Sequence, residues 1–335
     1  MSKKISNSRL LLVFIALLGL YAISRYIEAR RSANTFHTTL VKGIDSSKVA
    51  SVYIYTRENK DKPIHLFVHN GKWMAEQSGI TSLAEERSAE YVIDQLQQIT
   101  PDRLASNAPG QWQHFLVTDT SGTRIVMLGR EKDTMLDVIV GKFGFMPQQR
   151  QGISYVRING QKEVYGVPGF LAMNISKDFD SWRNRKIVFP EYLTYSSLSY
   201  SCPGDSSFTV KKDSAGAWRF ADGAKTDSLA TAKALATLCR QNYGSFVNRF
   251  DTAAAQPLFT LKVTAVPNGT VILKAYPASD TVNRYVITSS INPGSYFSGA
   301  KDNLFKNLFL GRRAFLYHKE DEKPKAGALH TKAVK

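Results

Sequence analysis

Residues 48–55 (KVASVYIY) alternate apolar and polar positions, and residues 64–68 (IHLFV) repeat the alternation before Asn70-Gly71 and Lys72-Trp73-Met74. A period of two predicts half-buried strands, and Asn-Gly between them predicts a tight hairpin turn. From Ser82 the period changes. Ala89, Val92, Leu96 and Ile99 fall on one helical face, with Ser82 and Glu85 at capping-box spacing, so a helix is expected to start at Ser82. Residues 115–119 and 124–128, flanking Ser121-Gly122, are expected to pair as a hairpin. Three further strands are expected over residues 137–140, 154–158 and 162–165.

The same series recurs. Residues 193–200 alternate, residues 208–212 follow, and Ala217-Trp218-Arg219 stands 145 residues after Trp73. Ser228-Leu229-Ala230 opens a second helix with Ala232, Leu235, Leu238 and Cys239 expected inward. Residues 258–265 and 271–276 around Asn268-Gly269 predict a hairpin, followed by strands over residues 284–288 and 295–297. The expected fold class is therefore α+β: two tandem repeats of mainly antiparallel sheet, each with one packed helix.

Ahead of the repeats, residues 10–23 read LLLVFIALLGLYAI without a charge. Extended to residue 27, with Tyr21 and Tyr26 in the interface and Arg25 reaching for headgroups, the run gives ~27 Å of helix. A signal-peptide cleavage after Ala22-Ile23-Ser24 would leave Arg25 at the new terminus, which is a poor site. The expected organisation is a short cytoplasmic N-terminus (1–9), a single transmembrane anchor (10–27), a linker (28–43), α+β units at 44–188 and 189–318, and a disordered tail (319–335). Three basic residues before the span and three after it leave orientation open on charge alone.

The chain of 335 residues carries a net charge of +16. Lys3, Lys4, Arg9, Arg25, Arg30 and Arg31 against Glu28 account for +5 of it, and the tail for +2, leaving +9 on the body. That balance favours a negatively charged neighbour such as lipid headgroups or a cell-wall polymer, or simply a soluble surface. No dense basic cluster or nucleic-acid motif occurs, so nucleic acid is not an expected partner.

Candidate chemistry is sparse. His65 and His69 on one strand stand about 13 Å apart, too far to share a metal ion. Residues 141–144 (GKFG) lack phosphate-loop spacing, and no Gly-x-Ser-x-Gly occurs. No catalytic, cofactor-binding or metal-binding residue is assigned, and no cofactor is expected. Cys202 and Cys239 either pair, for a gain of ~3 kcal/mol, or stay as two thiols. Trp73 and Trp218 read as core anchors more readily than as a stacking platform for sugar. Trp182, Arg183 and Arg185 form the candidate partner-docking patch, with the alternative that Trp182 covers a sheet end while the arginines bind backbone carbonyls.

Several segments in order carry a resemblance: Asn70-Gly71-Lys72-Trp73, Arg103-Leu104-Ala105-Ser106, Trp112 through Phe115-Leu116-Val117-Thr118-Asp119, Tyr155-Val156-Arg157, Val164-Tyr165 and Trp182-Arg183-Asn184. Together they resemble the domain of unknown function 4340 family, in the form common in Bacteroidetes. The likeness covers most of residues 40–190 and, more weakly, the second copy. It implies a bacterial inner-membrane protein with an extracytoplasmic body, of the kind that accompanies ABC transporters, including those tied to gliding motility. It supplies no catalytic residues. The expected function is non-catalytic scaffolding of an ABC transporter or another membrane complex. The rival is a cell-wall or carbohydrate-binding protein, or hydrolase, using the cleft between the units.

Overall fold

The computed structural model describes residues 14, 16–25, 40–41, 44–240, 245–278 and 284–316. The expected N-terminus, most of the linker and the tail lie outside these residues, as do parts of the expected anchor. Residues 16–25 of that run are helical, and among the described residues no helix is long and apolar enough to cross a membrane.

The rest is mostly antiparallel sheet with few helices. By its contacts the chain divides into two compact units, Met1–Val68 with Arg87–Lys177, and His69–Glu86 with Asp178–Lys335.

The first unit contains β1 (Val49–Tyr55), β2 (Ile64–His69), the helix α1 (Glu86–Gln97), β5 (Arg103–Ser106), β6 (Thr123–Gly129), β7 (Thr134–Met146), β8 (Gln151–Ile158) and β9 (Val164–Pro168). Between β2 and α1 the chain makes β3 (Lys72–Gln77) and β4 (Ile80–Leu83), which group with the second unit. Within the first unit the strands run in the order β2-β1-β6-β7-β8-β9-β5. Alternation does what a half-buried strand requires: Val52 and Ile54 of β1, and Ile125 and Met127 of β6, are buried while their neighbours are not. Ala89, Val92, Ile93 and Leu96 form the inner face of α1, and Ile99 is buried just beyond its end.

The second unit adds β10 (Tyr195–Ser201), β11 (Phe208–Lys212), β12 (Trp218–Phe220), the helix α2 (Ser228–Cys239), β13 (Phe259–Ala265), β14 (Gly269–Pro277), β15 (Tyr285–Ser289) and β16 (Phe297–Ser298). Its sheet runs β12-β11-β10-β13-β14-β15-β16. Leu198, Val210, Leu261, Val263, Leu273 and Phe297 join Leu235 and Leu238 of α2 in one core. The order β11-β10-β13-β14-β15-β16 repeats β2-β1-β6-β7-β8-β9 element for element. The register also repeats: β1 shifts against β6 between Val49 and Ser51, and β10 shifts against β13 between Tyr195 and Ser197. A bulge sits at the same place in each sheet.

Three local expectations are corrected. Ser82 does not cap a helix. The Ser78-Gly79 turn, with φ of 54° and 79°, folds residues 80–83 back as β4, pairing Ala75 with Ser82 and Met74 with Leu83, so the helix begins at Glu86. Residues 115–119 are not a strand. Trp112–Phe115 is a helical turn closed by Leu116 in the left-handed region (φ 56°), and β6 pairs with β1 and β7 instead. In α2 the cap is Asp227, whose carboxylate accepts from the Ala230 amide at 2.7 Å; Ala230 and Ala234 face inward while Ala232 is exposed.

Gly141 has a tertiary reason to be glycine. A Cβ there would overlap the Phe115 carbonyl oxygen, where the 112–117 turn crosses β7. Gly141→Ala is expected to cost about 2 kcal/mol of stability, read by urea denaturation.

Asp137 on β7 receives both Arg124 Nε (2.9 Å) and Arg124 NH2 (2.6 Å), and Asn159 Nδ2 at 2.8 Å. Burial alone would push its carboxyl up. The hydrogen bonds from Arg124 and Asn159 and the charge of Arg124 outweigh that and hold it below the usual carboxylate range. A carboxyl depressed on folding stabilises above its unfolded pKa of about 3.9, and that stability is lost as pH falls through the folded value. Asp137→Asn should therefore flatten the acid limb of the stability curve below about pH 4, measured by denaturant titration across that range.

Candidate functional site

Segment 178–187 of the second unit begins with Asp178. Its carboxylate accepts from the Asp180 amide (3.4 Å) and the Ser181 hydroxyl (3.0 Å), tightening the turn Phe179–Ser181. The turn delivers Trp182 and Arg183 inward, 2% and 0% exposed. The backbone then runs as an extra rung beside β4: the Glu85 amide donates to the Trp182 carbonyl, the Asn184 amide donates to the Leu83 carbonyl, both at 2.8 Å, and Ala84 bridges Arg183. On the far side Asn292 Nδ2 donates to the Asn184 carbonyl (2.6 Å) and the Ser289 hydroxyl to the Ile187 carbonyl (2.6 Å).

The Arg183 guanidinium lies over the Phe246 ring, 3.7 Å from its centroid, and its NH1 donates to Asn248 Oδ1 (2.9 Å) and Asp180 Oδ1 (3.1 Å). Its Nε and NH2 have no hydrogen-bond partner. Burial draws its pKa down from the usual arginine value, and the Asp180 carboxylate counters this. Arg185 is half-buried and reaches the Asp180 carbonyl at 3.4 Å. Burial sets Trp182 and Arg183 against the docking expectation, since they offer a partner almost no surface, and of the trio Arg185 retains the most.

A second arginine clamp organises the first unit. Arg157 on β8 donates from Nε to the Val117 carbonyl (2.9 Å), from NH2 to Asp119 Oδ1 (2.9 Å) and from NH1 to the Gln161 carbonyl (3.2 Å), while its Cζ lies 3.9 Å from the centroid of the Trp112 ring. Trp112 Nε1 is in turn held by the Lys162 carbonyl at 2.9 Å. The motifs around Trp112, Asp119, Arg157 and Trp182-Arg183-Asn184 thus take part in packing.

His65 stacks between Tyr53 and Phe67 and contacts the Ser51 hydroxyl at 3.2 Å. His69 contacts Asn70. Among the described residues no group of three or more His, Cys, Asp or Glu side chains could hold a metal. Cys202 and Cys239 are free thiols, and burial pushes the Cys202 thiol up.

Exposed apolar surface lies elsewhere in the first unit, on β7 and on the helical turn Leu171–Asn174 that follows β9. Phe143 stacks on Phe170 with centroids 5.4 Å apart. Phe145, Phe170 and Met173 are 59%, 52% and 62% exposed. The support is rigid: the Gly169 amide donates to the Gly152 carbonyl (2.8 Å), and the Ala172 amide to the Ser154 hydroxyl (3.0 Å). Gly152 leaves room for the Phe143 ring, which a Cβ would press at 2.7 Å. Sequence reasoning passed over this surface. Its one signal was the alternating Phe143-Gly144-Phe145, with Gly169-Phe170 downstream.

Removing the fully buried Arg183 side chain leaves a void against Phe246 and should cost about 2–3 kcal/mol. Arg183→Ala is therefore expected to lower the urea midpoint strongly and Arg185→Ala weakly; equal effects would show that burial of Arg183 carries no special weight.

No curated protein and no solved structure matches the chain. One family does, described as a domain of unknown function (DUF4340), over residues 73–263. That span begins at Trp73, includes both arginine clamps and covers more than half of the sequence; the chain belongs to the DUF4340 family.

Proposed function

We propose that this chain is a single-pass protein of the bacterial inner membrane, its body extracytoplasmic, which acts without catalysis by binding a membrane complex such as an ABC transporter. The body would consist of two copies of one α+β unit, over residues 44–188 and 189–318, a reading supported by the repeated strand order and the repeated bulge.

Support for the anchor is the uncharged run at residues 10–23, extended to residue 27. Within it, helical Leu17, Leu20 and Ile23 are each more than half exposed, which in water would be unfavourable. The net charge of +16 favours a position beside anionic headgroups. The observation that carries the binding reading is the surface formed by Phe145, Phe170 and Met173. Aromatic and methionine side chains grouped on a strand and the turn packed against it are the composition enriched in interface cores. An anchored body is confined near a partner in the same membrane, so a surface of modest affinity suffices for stable association.

The reading is tested on the full-length chain in native membranes. The protein is expected in the carbonate-resistant, detergent-released fraction, and pull-down should recover permease or ATPase subunits identified by mass spectrometry. Phe145→Asp with Phe170→Asp should abolish that recovery while leaving the circular dichroism spectrum unchanged. Release of the chain by carbonate would contradict the anchor, and recovery unaffected by the double substitution would contradict the surface.

A further inference from the structure

The second unit carries a cavity of about 340 Å³ beside β12, walled by Trp218, Tyr192 and Leu193 and by the first turns of α2. Its origin is a difference between two hairpins. β3 is paired along its length by β4, from Gln77 opposite Ile80 to Met74 opposite Leu83. β12 is the last strand of its sheet, and beyond it only one bridge forms, Arg219 with Lys225. The edge beside Trp218 is left open.

Three cations line this cavity, Lys212, Arg219 and Lys225, and no carboxylate does. Arg219 is matched by Asp213, its Nε donating to Oδ2 at 2.7 Å. Lys212 donates to the Leu193 carbonyl (2.9 Å) and stands 5.5 Å from the centroid of the Trp218 ring. Lys225 is exposed and makes no ion pair among the described residues. Thr231 is 1% exposed and lines the same cavity, its hydroxyl without accessible surface and without a hydrogen-bond partner among the described residues.

We propose that this cavity binds a sugar bearing a carboxylate or phosphate. The sugar ring lies against Trp218, and the anion is held by Lys212 and Lys225. The indole supplies an apolar face of sugar size, and the two lysines supply point charges suited to either anion. The site lies within the second unit and shares no residue with the Phe145 surface, so it stands or falls independently of the scaffolding reading.

Calorimetric titration of the detergent-solubilised full-length chain tests it, using glucuronate, glucose 6-phosphate, glucose and inorganic phosphate. At least one of the two anionic sugars should bind tenfold or more tightly than both glucose and inorganic phosphate; which one binds separates a carboxylate from a phosphate ligand. Lys225→Glu should weaken that binding at least tenfold without altering the melting temperature, and so should Trp218→Leu in protein that still melts cooperatively. Lys211→Glu, on an exposed residue outside the cavity, should leave binding unchanged. The proposal is overturned if neither anionic sugar binds, if glucose binds as well, or if Lys225→Glu binds like the unaltered chain.

Discussion

A guanidinium removed from water must be matched by its surroundings, and Arg183 is the place where the second unit meets that demand. The Phe246 ring, Asn248 and Asp180 are brought to one point by segments far apart in sequence. A buried charge of this kind contributes little net stability. The Phe179–Ser181 turn, the rung beside β4 and the 245–248 segment all meet at Arg183. The Arg157 clamp makes the same demand of the 112–119 loop in the first unit, with every guanidinium nitrogen engaged.

This changes how the chain's most conspicuous residues are to be understood. Tryptophan and arginine close together on a chain of net charge +16 suggest a surface for partners. Here they are interior, and the surface with the stronger claim is the set Phe145, Phe170 and Met173. The clamps fix short segments joined to the sheets by few backbone bonds, whereas Phe145 stands on a strand paired along β8.

Much of the strand layout was legible because alternation and Asn-Gly turns are local signals. The β13–β14 hairpin and the burial pattern of β1 follow from them directly. What was not legible depended on distant residues. Ser82 looks like a cap until the Ser78-Gly79 turn returns the chain along β3, and residues 115–119 look like a strand until Arg157 and Gly141 shape the loop above them. Arg183 sits in a run, Ser-Trp-Arg-Asn-Arg-Lys, that reads as a docking patch or as the cover of a sheet end; nothing in that run discloses Phe246 or Asn248. The Trp218 cavity exists because a strand equivalent to β4 is missing, a feature visible in the sequence only as a different stretch between Trp and helix.

The central claim is that the Trp182-Arg183-Asn184 rung is an integral part of the second unit's core. Native-state hydrogen exchange measures this most directly. The amides of Glu85 and Asn184, which donate into that rung, should open with a free energy close to that of Leu198 at the centre of the sheet. Exchange of both at the rate of an unprotected loop, with Leu198 still protected, would contradict the account.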